Sequence, residues 1–253
     1  MKTFSRLLTV GSACALLLSL SLTAQAARVG GFEPGDPAVT KSGDGSVQQT
    51  FQGVTPTEGA NQYLITTINR ADGDGLTPVS GTNAVLNTTL QTFFNGTGLT
   101  GTEGSGFLIP FTVNAGDQFL TLQYDFLTNE IAPGNHNDIA FGLTFNSSNT
   151  LIGGVRTITT ANLAQSGLSL LANQNGPFQF ETGYQPFSIS LAGFAPGSYT
   201  LGIGVEDRTT SDIPSGVLVD NIQITAAVPE PSTIGLILAG AISCVAVRRR
   251  IRK

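Results

Sequence analysis

Along most of the chain, short apolar or alternating runs recur, each bounded by Gly, Asn, Asp or Pro. They predict strands at Ser46–Phe51, Gln62–Asn69, Gly106–Val113, Gln118–Leu127, Asp138–Asn146, Gly154–Thr159, Phe178–Glu181, Phe187–Leu191, Ser198–Val205 and Gly216–Thr225. Short strands at regular spacing, separated by turn residues, point to an all-β sandwich or barrel. Gln118–Leu127 puts Phe119, Thr121, Gln123 and Asp125 on one face and Leu120, Leu122, Tyr124 and Phe126 on the other, because side chains alternate along a strand. The same rule applied to Gly216–Thr225 sets Val217, Val219, Asn221 and Gln223 against Leu218, Asp220, Ile222 and Ile224. The second set is expected to face a core, with Asp220 as its exception. One helix is expected, since Leu86, Leu90, Phe93 and Phe94 recur at helical spacing. Thr82 or Asn83 can cap its start and Gly96 its end.

The two ends follow other patterns. Lys2 and Arg6 precede an apolar stretch, Leu7 to Leu22, and then Ala24-Gln25-Ala26. A basic start, a short apolar run and a small-x-small site read as a secretory signal peptide over residues 1–26, cleaved after Ala26, with Ala27 as the alternative. Gly11, Ser12 and Ser19 interrupt the run and weigh against an uncleaved anchor. At the other end, Val228-Pro229-Glu230-Pro231 leads into an apolar run that ends at Val247, followed by Arg248, Arg249, Arg250, Arg252 and Lys253. From Ser232 to Val247 is 16 residues, roughly 24 Å of helix against a hydrocarbon core of about 30 Å. That makes a marginal transmembrane anchor. The basic tail places its own side in the cytoplasm. Between the ends, residues 27–227 show no repeat of 20–50 residues and no linker, so they are expected to form one domain.

The order of Pro229-Glu230-Pro231, a short apolar helix and a terminal arginine cluster resembles the PEP-CTERM sorting signal, over residues 228–253. The resemblance implies export through the Sec translocon and a transient stay in the inner membrane. It also implies processing by an exosortase-like enzyme near the motif, then delivery to the outer surface or an extracellular matrix. Longer phrases resemble a group of exported bacterial and cyanobacterial PEP-CTERM ectodomains. They include Tyr124-Asp125-Phe126-Leu127-Thr128-Asn129-Glu130, Gly204-Val205-Glu206-Asp207 and Leu218-Val219-Asp220-Asn221-Ile222. More loosely, the ectodomain is similar to the jelly-roll sandwiches of carbohydrate-binding modules. In those, an acid near the first strand and an Asp in the last often hold a structural calcium. Many such modules stack sugars on Trp, and this chain has none.

Charge then sharpens the picture. The chain of 253 residues carries a net −5, which argues against nucleic acid as a partner. All 17 acids lie between Glu33 and Glu230, while only Arg28, Lys41, Arg70, Arg156 and Arg208 stand outside the two basic ends. The exported part therefore has a net charge of −12. Both cysteines, Cys14 and Cys244, lie in the apolar ends, so no disulfide braces the domain.

An acidic domain without a disulfide has something to gain from a cation, and Ca²⁺ takes 6–8 oxygen ligands. The module resemblance points to Glu33, Asp36 and Asp220 as its ligands, with Glu130, Asp138 and Asp207 as further candidates. Asp72-Gly73-Asp74-Gly75 reads as a solvated turn rather than an ion loop, because Arg70 stands where a first ligand belongs. His136 is the single histidine and sits among loop residues. No Gly-x-Ser-x-Gly elbow accompanies it, and one histidine cannot build a multi-His metal centre. Glu103, Glu130 and Glu181 are acids that a glycoside hydrolase could pair, but they read better as solvated or turn-bonding groups. The expected protein is an exported, non-enzymatic surface or matrix component associating with extracellular polysaccharide. The alternatives are a matrix glycan hydrolase or lyase, or a purely structural envelope protein.

Overall fold

In chain order the strands are β1 (Ala27–Gly30), β2 (Thr40–Ser42), β3 (Asp44–Gln48), β4 (Gln62–Thr66), β5 (Val79–Ser80), β6 (Glu103–Val113) and β7 (Asp117–Thr128). Then follow β8 (Ile139–Asn146), β9 (Leu151–Thr160), β10 (Ser169–Leu170), β11 (Phe180–Glu181), β12 (Gln185–Ser190), β13 (Gly197–Asp207) and β14 (Ser215–Ala226). One helical turn, α1 (Ala161–Ala164), follows β9. This computed structural model describes residues 26–67, 79–80, 103–130, 138–164, 167–207 and 213–226. The expected signal peptide and C-terminal anchor, the helix expected around Leu86–Phe94, Asp72–Gly75, His136, and the C-terminal motif and basic tail lie outside the described residues.

All pairings are antiparallel, and the strands form two sheets. The first runs β10-β11-β7-β14-β4-β3, with β1 beside β14 and β12 beside β7. The second runs β2-β6-β13-β8-β9, with β5 beside β6. The result is an all-β, jelly-roll-like sandwich. Each expected strand is present, shifted at its ends. Strands β1, β2, β5 and β10 were not expected, because two to four residues are too few to show an alternation.

The main core lies between the sheets. Phe107, Ile109 and Phe111 of β6 and Leu201, Ile203 and Val205 of β13 meet Leu120, Leu122 and Phe126 of β7 and Val217, Val219, Ile222 and Ile224 of β14. A smaller core sits on the opposite face of the first sheet. Leu64, Leu127 and Leu218 point there, and Phe51, Val54, Leu171 and Phe178 from the loops cover them. On β8, Ala140 faces the main core, while its neighbours Ile139, Phe141 and Leu143 are buried as well. Phe141 lies flat on Gly204 of β13, where a Cβ would come 2.1 Å from the ring.

Strand β14 departs from the expected alternation. Val217 and Val219 face the main core, while Leu218 and Asp220 face the other side. Asn221 then takes φ +53°, the left-handed region that Asn tolerates better than most residues. The pairing of β1 with β14 slips close by, where Val29 of β1 is the extra residue between the Arg28–Gln223 and Gly30–Ile222 pairs. Past Asn221 the facing of β14 changes, and Ile222 and Ile224 return to the core. The expected set of Leu218, Asp220, Ile222 and Ile224 is therefore split between the two faces, and Asp220 is no exception within a core stripe.

Candidate functional site

Pairing of β1 with β14 brings the first segment beside the last strand; Glu33 and Asp220 both bond the loop at residues 57–61, while Asp36 is linked to it only through Arg28 and Glu58. Asp220 accepts Thr57 N–H at 2.7 Å, Thr57 O–H at 2.9 Å and Glu58 N–H at 2.8 Å on one oxygen, and Asn221 N–H at 2.7 Å on the other. Burial pushes its pKa up against these donors. Glu33 accepts Ala60 and Asn61 N–H and the Asn61 amide, between 2.6 and 2.8 Å, and the Ala60 N–H above all holds its pKa low. Asp36 Oδ2 accepts Gly31 N–H and Glu33 N–H at 2.8 Å and Arg28 Nη2 at 2.9 Å. Arg28 also pairs with Glu58 at 3.2 Å. These oxygens meet donor hydrogens and a guanidinium where a calcium shell needs bare oxygens. Among the described residues no group of three or more His, Cys, Asp or Glu is arranged to hold a metal ion.

Glu130, Asp138 and Asp207 converge instead at one end of the sandwich. All three are buried, at 2%, 0% and 1% exposure. The Glu130 carboxyl accepts the Asp138 N–H. Thr128 Oγ1 accepts Glu130 N–H at 2.9 Å and the Ser215 hydroxyl at 3.1 Å. The side chains of Ser215 and Asp207 both bond the Asp138 carboxyl. Burial, reinforced by Asp207 and Glu130, pushes Asp138 up to about 9; burial and Asp207 push Glu130 up to about 7. Asp44, bonded to Thr66 and through its N–H to Ser105 at 2.8 Å, belongs to the same end. Glu130 is thus not the solvated acid that its sequence context suggested. It lies in a polar layer that ties both sheets together.

A second carboxyl pair lies beneath Tyr184. Asp125 is fully buried and accepts Thr182 N–H and O–H, both at 3.1 Å. Burial first, then the Glu181 carboxyl against it, pushes Asp125 up to about 8. Tyr184 donates its hydroxyl proton to Gln62, and burial raises its pKa. Glu181 therefore pairs with Asp125 rather than standing in solvent. Of Glu103 only the backbone is described.

Beyond this pair the outward face of the first sheet is open. On β7 it carries Phe119, Thr121 and Gln123. Opposite them on β12 stand Ser190, Ser188 and Pro186. On β14, where the facing changes, come Asn221, Gln223 and Thr225, with Arg28 of β1 opposite Gln223. The hydroxyls of Thr121 and Thr225 donate to Gln223 O and Phe119 O, both at 3.4 Å, and lock the stripe across the two strands. Phe119 is 42% exposed. No carboxylate stands on this stripe, and its one cation is already spent on Asp36 and Glu58. Amides and hydroxyls both donate and accept, so the stripe suits a neutral, hydroxyl-rich ligand. Sequence reasoning found its β7 half but misplaced Gln223 relative to Asp220, because the change of facing has no signal beyond an Asn.

Set beside known proteins, residues 227–250 match the PEP-CTERM protein-sorting motif. No curated protein matches the chain. Several solved structures resemble its fold. The module TmCBM61, solved with β-1,4-galactotriose, has 10% identity and TM-score 0.41, covering 78% of this chain and 94% of its own. The family 11 carbohydrate-binding module of Clostridium thermocellum, solved with a β-1,3-1,4-mixed-linked tetrasaccharide, has 12% identity and TM-score 0.36, covering 81% and 98%. The enzymatically active domain of bacteriophage CBA120 tailspike protein 4 has 7% identity and TM-score 0.38, covering 82% and 21%. The C-terminal segment of this chain, with its Pro229-Glu230-Pro231 signature, apolar run and basic end, is a PEP-CTERM protein-sorting motif.

Proposed function

We propose that the protein is an exported, non-enzymatic surface or matrix component that binds neutral polysaccharide on the open face of its first sheet. Export runs through the Sec translocon, and an exosortase-like enzyme processes the chain near Pro229-Glu230-Pro231 after a transient stay in the inner membrane. The observation that carries the binding reading is the uncharged stripe of Thr121, Gln123, Ser188, Asn221 and Gln223 beside the exposed ring of Phe119. Its amides can bridge sugar hydroxyls, and the ring offers an apolar surface to the C–H face of a pyranose. Affinity electrophoresis of the full chain through gels containing neutral galactan or glucan tests this. Retardation is expected, with binding about 2- to 10-fold weaker in Gln123→Ala, the worth of one hydrogen bond. Free migration through every neutral glycan sinks binding on this open face and favours a purely structural role for it.

An enzymatic reading, a matrix glycan hydrolase or lyase, needs an acid within reach of a glycosidic oxygen. Asp125 and Glu130 have raised pKa values but are buried at 0% and 2% exposure, which favours binding over turnover. Release of reducing sugar from matrix polysaccharide, abolished by Glu181→Gln, would establish the enzyme instead. Deleting Pro229-Glu230-Pro231 is expected to leave the protein in the membrane fraction, and unchanged processing and release would refute the sorting step.

A further inference from the structure

Among the described residues, β9 of the second sheet and β12 of the first each pair on one side only. A cavity of about 260 Å³ opens between these edges, lined in part by Thr144, Ile152, Arg156, Ile189, Ser190 and Phe194. The backbone of β9 shapes it. Arg156 pairs with Gly142 and Ile152 with Thr144, so residues 153–155 stand opposite the single Leu143. Gly153 takes φ +75° in this bulge, and a bulge on an edge strand re-aims the side chains beside it. Arg156 is turned to the cavity wall, its Nη2 3.9 Å from where a Cβ on Gly153 would lie. Across the opening, Leu191–Phe194 makes a tight turn, with Phe194 N–H donating to Leu191 O at 3.0 Å and Gly193 at φ +89°. The turn presents the Phe194 ring, which packs on Tyr199 at 5.1 Å.

Arg156 is exposed. Among the described residues it makes neither an ion pair nor a hydrogen bond, while the two ion pairs among them both belong to Arg28. No carboxylate lines the cavity. In an exported part of net −12, a guanidinium at a cavity with no acid in its wall is an exception that calls for an anion. The overall charge opposes a polyanion at long range, but screening over about 8 Å at physiological salt leaves the contact itself to Arg156. A guanidinium fork matches a carboxylate at two points. The wall next to it is apolar, from Ile152, Ile189 and Phe194, and suits the face of a sugar ring. Ser190 Oγ accepts Ala192 N–H at 3.3 Å and keeps its own proton to donate. The volume is a little under the roughly 300 Å³ at which small-molecule pockets begin, enough for one ring of a longer chain.

We propose that this edge cleft is a subsite for an anionic sugar residue of extracellular polysaccharide, with Arg156 holding its acid group and Phe194 packing against its ring. It rests on the glycan-binding reading above but turns on Arg156 and Phe194 at the sandwich edge, with Ser190 alone common to both surfaces, so the two can fail separately. The test is calorimetric titration of the full chain with oligogalacturonate, with a sulfated galactan oligomer and with a neutral galactan oligomer, at low and high salt. The uronate is expected to bind, more weakly at high salt. In Arg156→Gln its affinity is expected to fall about tenfold to a hundredfold, the worth of a charge-assisted hydrogen bond, with partial recovery in Arg156→Lys. Arg156→Gln is expected to keep the wild-type melting temperature and any binding of the neutral oligomer. Binding of the sulfated oligomer through Arg156, in place of the uronate, supports the anion subsite and names sulfate as its group. Failure of both anionic ligands, or anionic binding unchanged by Arg156→Gln, overturns the proposal whatever the neutral oligomer does. Loss of neutral binding alone, on Gln123→Ala, touches only the open face.

Discussion

At Asn221 one backbone angle decides which side chains meet solvent. With φ at +53° the residue sits where a branched side chain costs about 1–2 kcal/mol. Asn221→Val is expected to destabilise by that amount in urea unfolding, whereas Asn221→Gly changes stability far less. Gly204 is set by packing rather than by backbone angle. The Phe141 ring occupies the space of its missing side chain, so Gly204→Ala is expected to cost about 1–3 kcal/mol, as overpacking does. Asp36 and Arg28 separate charge from hydrogen bonding. Their ion pair is half-exposed and of a kind worth about 0–1 kcal/mol. Asp36 also satisfies Gly31 N–H and Glu33 N–H around Phe32, which holds φ +62°. Asp36→Ala is therefore expected to lower stability by about 1–3 kcal/mol, clearly more than Arg28→Ala. Equal losses in the two variants would show that the ion pair, and not the loop's N–H groups, is what matters.

At the scale of elements, the long strands were legible because each has a face that water avoids. Leu120, Leu122, Tyr124 and Phe126 alternate without interruption, and β7 follows them. On β14 the alternation misled. Leu218 looked like a member of the main core, yet it serves the satellite core under Phe51 and Phe178. A sheet covered on both faces has apolar residues at every position, so hydrophobicity alone cannot say which face is which. The site suffered from the same ambiguity. Glu33 and Asp220 do gather at one loop, with Asp36 linked to it through Arg28 and Glu58, but only the positions of backbone N–H groups show what those oxygens bind. Asp207 lies far along the chain from Glu130 and Asp138, and nothing in their neighbours announces that the sandwich end brings the three together.

For the whole molecule, the buried acids predict an unusual response to pH. In the folded state Asp125, Glu130 and Asp138 hold protons up to about 8, 7 and 9; the unfolded chain releases them near 4. Between those limits the folded state binds more protons, so stability is greatest in acid and falls as pH rises from about 4 to about 9. Glu33, held low by its N–H donors, pulls the other way as a single solvent-facing carboxylate. The melting temperature is therefore expected to drop between about pH 5 and about pH 8.5, and Asp138→Asn is expected to flatten that drop. A melting temperature that climbs over this range would contradict the assignment of protons to the buried cluster.

The all-β class, the ten principal strands, the acidic balance of the exported part and the PEP-CTERM motif were all legible along the linear chain. Each of these is local: an alternation, a count, or an order of residues within one short stretch. The facing of Asp220, the polar layer of Glu130, Asp138 and Asp207, and the cleft at Arg156 emerge only once the strands are paired. These depend on strand pairings between residues tens to more than a hundred positions apart. One left-handed residue or one edge bulge in such a pairing turns a side chain from core to solvent, and the linear pattern of apolar and polar residues does not record that turn.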